Sequence, residues 1–220
     1  MSGILEPTAM NRIPPEIVTE RLIIYPMGPE FAEAVNAGVC ETFDQLQLWM
    51  PWAKSLPSLA DSLRTLTEAR EKYEQGEDNS VVALLKSDRS LVLCSGLHPR
   101  QPPLSQPLSP PLSLPLSQQL IAFEIGYWCV HSQQKQGYVT EVVRALTQIA
   151  FEQLNATRIQ ISCDARNRDS QRVAERCGYQ YEGCLRNHAR ANDGTLRATM
   201  IYSKIDQDGE CETHDEDGHQ

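Results

Sequence analysis

Hydrophobic positions along the chain switch repeatedly between period 2 and period 3.6. Residues 21–26 read as a strand that enters a turn at Gly28-Pro29. Residues 30–39 and 56–73 have helical spacing, the second with Leu59, Leu63, Leu66, Ala69 and Tyr73 along one side. Residues 80–86 and 91–97 are β-rich and joined by Ser87-Asp88-Arg89-Ser90, a hairpin signal, and 121–130 form a further strand. Residues 139–154 make the clearest helix, its stripe built from Val139, Val142, Val143, Leu146, Ile149, Ala150 and Leu154. A strand at 158–164, a short helix at 167–177 and two strands at 179–186 and 196–205 complete the pattern. The order β α α β β β α β α β β predicts one α/β (α+β) domain over about 15–205, with a mixed rather than doubly wound sheet.

Composition narrows the function classes. The 220 residues are 40% hydrophobic and 22% charged, ordinary for a globular domain with a real core. The longest apolar run, 81–85, is far short of the ~20 residues of a membrane-spanning helix. No basic start followed by an apolar stretch marks a secretory signal, so neither a membrane nor an export route is expected. Net charge is −9, but 206–220 hold seven acids and no Lys or Arg, leaving −2 for the rest. A near-neutral body has no broad basic field for a nucleic acid, and no direct nucleic-acid partner is expected. The acidic tail at 206–220 is too poor in apolar residues to fold alone. His214 and His219 within it lack a fixed ligand geometry, so no metal is assigned. Seven cysteines without a C-x-x-C pair read as reduced thiols of a cytoplasmic protein.

Residues 103–118 are four tandem tetrads that each begin Pro-Leu-Ser. A proline every fourth residue forbids helix and spoils a sheet ladder. The stretch, with its flanks 101–119, is expected to be a tolerated insertion lengthening a hairpin loop. A proline-rich ligand for a partner domain is the less favoured reading, since basic flanks are limited to Arg100.

Two constellations carry chemistry. Ile125-Gly126-Tyr127-Trp128 is followed by Gln134-Lys135-Gln136-Gly137-Tyr138-Val139-Thr140-Glu141 leading into the clearest helix. A strand, a glycine turn and a helix start gather unpaired backbone N–H groups at one point, which suits an anion such as a phosphate. There is no G-x-G-x-x-G and no Walker loop. Thr140 is a cap or an anion donor, and Glu141 a support for the helix start. The second constellation, Asn167-Arg168-Asp169-Ser170, opens a helix: Asn167 suits an N-cap and Gly178 a C′ stop.

In this order and separation, the two elements resemble the GNAT superfamily of N-acetyltransferases, and within it the RimJ/RimL-like branch that acetylates ribosomal-protein N-termini. The resemblance spans 17–205, leaving 1–16 as an N-terminal extension. It also includes Thr19-Glu20-Arg21-Leu22, Trp49-Met50-Pro51-Trp52, Gly178-Tyr179 and Glu182-Gly183-Cys184-Leu185-Arg186. It implies a single GNAT-like domain with a mostly antiparallel twisted sheet flanked by helices, and acetyl-CoA as co-substrate.

The family signature Q/R-x-x-G-x-G/A maps onto Gln134, Gly137 and Val139, whose backbone amides would hold the CoA pyrophosphate. Val139 departs from it by its added methyls. Gln136, Tyr138 and Thr140 belong to the same turn. The strand at Trp128, Cys129 and Val130 would splay from its neighbour and pair with the pantetheine arm, with an oxyanion donor at the N–H of Cys129 or Val130. Asn167 would lie near the pantetheine and Ser170 by the thioester sulfur, able to supply a proton to the departing thiolate. Glu124 and His188 are both open as the general base, and Trp49 and Trp52 as core aromatics or walls of the acceptor site. The implied reaction is direct attack of a primary amine, foremost a protein N-terminal α-amine, on the thioester in a ternary complex. A small-molecule amine, or a non-catalytic CoA-binding sensor or scaffold, are the alternatives. Whether the chain forms a homodimer stays open.

Overall fold

A computed structural model of the chain describes residues 12–100 and 120–206. The Pro-Leu-Ser repeat, residues 1–11 of the N-terminal extension and nearly all of the acidic tail lie outside the described residues.

An eight-stranded sheet runs in the order β1-β2-β3-β4-β5-β6-β8-β7. Its strands are β1 (Ile17–Val18), β2 (Leu22–Pro26), β3 (Asn79–Leu85), β4 (Leu91–Arg100), β5 (Ala122–Cys129), β6 (Arg158–Asp164), β7 (Gln180–Arg190) and β8 (Leu196–Ile205). Neighbours pair antiparallel except β5 and β6, which are parallel. This is the mixed α/β domain the pattern predicts, with a two-residue edge strand added before the first predicted one.

Helices cover both faces. Along β3 the side chains alternate: Val82 and Leu84 pack with Val35, Val39 and Leu46 of α1 (Ala32–Trp49) and Leu66 of α2 (Leu59–Gln75). Val81 and Ala83 pack with Val142, Val143 and Leu146 of α3 (Tyr138–Glu152) and Ala174 of α4 (Arg168–Arg176). Period 2 in the strand thus serves two cores at once. Ile13, ahead of the strands, also enters the α3 core, where its N–H donates to Asn79 Oδ1 at 3.0 Å and its carbonyl accepts from the Tyr73 hydroxyl at 2.9 Å.

Two helices differ from their sequence reading. The first extends ten residues past 39, to Trp49. Thr42 and Leu46 continue the buried stripe of Val35 and Val39, but the polar run between them hides the period. In α2, Leu59 and Leu63 are exposed, and Ser62, Leu66 and Tyr73 turn inward. The rotation follows from Asn36 of α1, which donates to Ser62 Oγ and to Pro57 O, both at 3.0 Å. A capping box closes the start of α2: Asp61 N–H donates to Ser58 Oγ, and Ser58 N–H to Asp61 Oδ2. Gly76 closes its end at φ 71°, in the left-handed region.

Leu146 is fully buried against the sheet. Leu146→Ala is expected to cost about 2–5 kcal/mol by emptying that site, seen as a lower urea midpoint at unchanged slope.

Candidate active site

The central feature is a split between β5 and β6. Their pairing joins Ala122, Phe123 and Glu124 to Arg158, Ile159 and Gln160, then stops, although both strands continue. On its other side β5 stays in register with β4 through Cys129. The Val130 N–H donates to Val92 O at 2.9 Å, which makes Leu93 and Cys129 opposite partners that exchange no hydrogen bonds. By alternation, Ile125, Tyr127 and Cys129 turn their backbone N–H and C=O groups into the split, and Trp128 and Val130 turn theirs away. The expectation that Val130 offers an oxyanion donor is corrected on this ground: its N–H is spent in the sheet, which leaves Cys129 as the candidate.

A cavity of about 400 Å³ lies at the mouth of the split, between the end of β5, α1 and the starts of α3 and α4. Trp128, Cys129, Gln134, Gly137, Tyr138, Val139, Thr140, Asn167 and Ser170 line it, so most residues singled out in the sequence meet at one place. Val130 and Gln136 do not: Val130 is buried under α1, and the Gln136 carbonyl accepts from Arg21 Nη1 at 2.9 Å. Lys135, Arg172 and Arg176 also line the cavity and were not foreseen. Their spacing offered a hint, since Arg168, Arg172 and Arg176 recur every fourth residue along α4.

At one end the cavity meets the start of α3. Lys135 (φ 61°) and Gly137 (φ 85°) are both left-handed, and no side chain caps the helix. Glu141 N–H is the first to bond back, to Gly137 O at 3.1 Å, which leaves the first-turn amides free to face a ligand. Arg21 holds this turn from outside. It bonds Glu141 through its backbone N–H and Nε, both at 2.8 Å, and its guanidinium lies 4.5 Å from the centre of the Tyr138 ring. Glu141 also accepts from Thr19 Oγ1 at 2.6 Å, which gives it the supporting role expected. Burial disfavours its charge, but the Thr19 and Arg21 hydrogen bonds prevail and hold its pKa below the usual carboxylate value.

At the other end stands Ser170. Asn167 caps α4 by accepting the Ser170 N–H at 3.1 Å, which holds Ser170 in the first turn. The Tyr127 hydroxyl lies 2.9 Å from Ser170 Oγ and donates to Ser170 O at 3.2 Å. Burial pushes the Tyr127 phenol far above its usual pKa, against the Ser170 bond that would lower it, so it stays protonated. Burial likewise pushes the Cys129 thiol up to about 12, leaving it neutral. Tyr127 is a site residue that the motif contained but whose role depends on the approach of α4. Gln45 of α1 is another: it accepts from Gln134 Nε2 at 2.7 Å, and Gln134 Nε2 also donates to Cys129 O at 3.2 Å.

The two residues offered as bases lie apart from this lining. Glu124 accepts from Arg100 Nε at 2.6 Å. His188 is exposed on β7, with Nδ1 3.1 Å from Thr199 Oγ1. Trp49 borders both the cavity and a second, open cleft of about 1010 Å³, walled also by Asp44, Lys54, Arg166 and Asn192. Trp52 is 52% exposed and lines neither. Asn192, in the β7–β8 turn, donates to the carbonyls of Gln47, Met50 and Ala53 at 3.0, 3.0 and 3.3 Å, which pins that turn to the end of α1.

A sequence model described as an acetyltransferase (GNAT) domain matches residues 21–180. The chain belongs to the GNAT acetyltransferase family. Among relatives of this GNAT protein, YdaF of Bacillus subtilis (strain 168), provisionally named a ribosomal N-acetyltransferase, is 28% identical over 195 residues, 89% of this chain and 97% of that one. The ribosomal-protein-serine acetyltransferase of Escherichia coli (strain K12) is 24% identical over 188 residues, 86% of this chain and 94% of that one. A solved structure of RimL, a ribosomal L7/L12 α-N-protein acetyltransferase in complex with coenzyme A, matches with a TM-score of 0.73 at 19% identity. That match covers 86% of this chain and 97% of RimL, and it speaks for the fold. Family membership gives the reaction class: N-acetyl transfer with acetyl-CoA as donor. Among the described residues no group of side chains is arranged to hold a metal, and no helix is long and apolar enough to cross a membrane.

Glu141→Gln is expected to loosen the α3 turn and cost about 1–3 kcal/mol at neutral pH. The carboxylate's pKa is depressed on folding, so its contribution is complete above the unfolded value of about 4.3 and lost as pH falls through the folded one. Urea titrations of both proteins from neutral to acidic pH should show the gap closing on the acid side.

Proposed function

We propose that this GNAT enzyme acetylates a protein N-terminal α-amine by direct attack on acetyl-CoA within a ternary complex. The observation that carries the reading is the split itself, with free amides at one end and the Tyr127–Ser170 hydroxyl pair at the other.

The first-turn amides of Tyr138, Val139 and Thr140, with the α3 dipole, hold the CoA pyrophosphate. Lys135, Arg172 and Arg176 add positive charge along the same wall. The pantetheine arm enters the split as a substitute strand beside the open backbone of β5, and Asn167 lies beside it. The acceptor comes from the other side, through the open cleft between Trp49 and the β7–β8 turn. The names of the relatives, which refer to ribosomal proteins, favour a protein acceptor in the cytoplasm.

An α-amine of pKa about 7.7–8.0 is mostly protonated at neutral pH and must lose a proton before it attacks. Attack puts negative charge on the thioester oxygen, where the Cys129 N–H can receive it. Carbon–sulfur cleavage then expels a thiolate, and the Ser170 hydroxyl gives it a proton and takes up the one the nitrogen releases, while the Tyr127 hydroxyl holds Ser170 in place. Much of the acceleration comes from holding donor and acceptor in line.

Calorimetry should show micromolar binding of acetyl-CoA that Gly137→Asp abolishes. That substitution puts a carboxylate at the pyrophosphate position and a side chain at a backbone angle that suits glycine. Thiol release with peptides beginning in Ser or Ala should outpace release with spermidine. Ser170→Ala should lower kcat roughly 10²-fold, and Tyr127→Phe less, at unchanged acetyl-CoA affinity. Absence of acetyl-CoA binding by the unaltered protein overturns the reading.

A further inference from the structure

Glycines face each other where β4 and β5 approach the split, and a histidine lies over them. The register pairs His98 with Glu124, Gly96 with Gly126, and Cys94 with Trp128, so all six residues share the sheet face that α1 and α2 cover. The His98 ring leans along the sheet into the glycine row. A Cβ on Gly96 would fall 2.7 Å from His98 Cε1 and 2.8 Å from Nε2, and one on Gly126 would fall 3.8 Å from Nε2. Any side chain at Gly96 would displace the ring. Nε2 therefore lies over the glycine row; His98 itself does not line the reaction cavity, but the next pair on this face of the ladder includes Trp128, which does.

The other ring nitrogen is held. His98 Nδ1 lies 2.6 Å from Asp78 Oδ1, and Asp78 Oδ2 accepts from Ser80 Oγ at 2.6 Å. With Nδ1–H donating to the Asp78 carboxylate, the lone pair of a neutral ring sits on Nε2. Burial opposes protonation of the ring, but the Asp78 hydrogen bond and charge, with that of Glu124, raise its pKa above 6.5. The surrounding charges are Glu77 and Asp78 just before β3, Glu124 on β5 with its partner Arg100 on β4, and Glu68 and Lys72 on α2. The ring also borders an open cavity of about 500 Å³ beside α2, a way out for a proton.

We propose that His98 Nε2, oriented by Asp78, accepts the proton of the attacking amine through water lying along the Gly96–Gly126 row. Glu124 then acts on the reaction through its charge on His98. The proposal rests on the acetyl-transfer reading above. An ammonium acceptor loses two protons overall. One passes to His98 and leaves by the α2 cavity; the other leaves the nitrogen as the carbon–sulfur bond breaks and ends on the thiolate, relayed by the Ser170 hydroxyl, which gives up its own proton and takes that one. The new bond is N–C, and the products are the amide and free CoA.

The test is a steady-state pH profile with acetyl-CoA and a Ser-initiated peptide, on the unaltered enzyme, His98→Asn and Asp78→Asn. Calorimetry with acetyl-CoA and a thermal midpoint are taken on each protein. His98→Asn should lower kcat about 10²-fold with acetyl-CoA affinity and midpoint kept, and should move the acid-side fall of kcat to higher pH, where the amine sheds its own proton. A protonated ring cannot accept a proton, so the unaltered kcat falls as pH drops through the His98 pKa. Asp78→Asn removes the charge that raises that pKa, and should move the fall to lower pH. If His98→Asn does not fold, the displaced limb in Asp78→Asn decides, and an undisplaced limb overturns the proposal. A kcat for His98→Asn within about threefold of the unaltered enzyme, with the same profile, overturns the role of His98 alone. An unaltered enzyme that binds acetyl-CoA yet releases no CoA with any amine overturns the acetyl-transfer reading, and the role of His98 with it.

Discussion

Two parallel strands that begin paired and then part leave a row of backbone groups needing partners. In this chain the row belongs to β5: the N–H and C=O of Tyr127 and Cys129 face the split, because the alternate residues are committed to β4. Open backbone inside a domain costs free energy unless something bonds to it. The rest of the molecule can be understood as holding the two strands apart while keeping that row accessible. β5 is anchored by its ladder to β4, and β6 by its ladder to β8. α4 follows β6, and the Tyr127 hydroxyl spans the split to meet Ser170 at its first turn.

The helices divide the work between structure and chemistry. α3 seals the deeper core with Val142, Val143 and Leu146, all fully buried, and lends its uncapped start to the cavity. That start is restrained from behind by Arg21 and Glu141, whose bonds join it to the chain just before β2. α1 closes the opposite wall through Gln45, Leu46 and Trp49. The β7–β8 turn is joined to the end of α1 through Asn192, so two elements distant in the chain frame the open cleft together.

Much of the site was legible in the residues. The glycine turn before α3 and the Asn167–Ser170 opening of α4 were recognisable because local backbone rules demand those residue types at helix starts. Both lie where expected, and both line the same cavity. What escaped was whatever depended on one element meeting another. Tyr127 lay inside a quoted motif with no assigned task, since nothing local reveals that its hydroxyl meets Ser170. Glu124 and His188 suited a base by chemistry, yet one is occupied by Arg100 and the other sits on an exposed strand. His98 attracted no notice at all, because its interest lies in its neighbours Asp78, Gly96 and Gly126.

The division follows the range of the forces involved. Periodicity, caps and turn residues act within a few positions, so the order of elements, the long helix and the glycine turn before it could be read directly from residue pattern. The length of α1 and the inward face of α2 could not, because buried Thr42 and the Asn36–Ser62 bond obtain their meaning from packing. Which backbone groups face the split was settled by strand register, and a shift of one residue would reverse every one of them. The identity of the groups around the reacting atoms belongs to the folded chain alone, since residues separated by dozens of positions become neighbours only when the sheet is assembled.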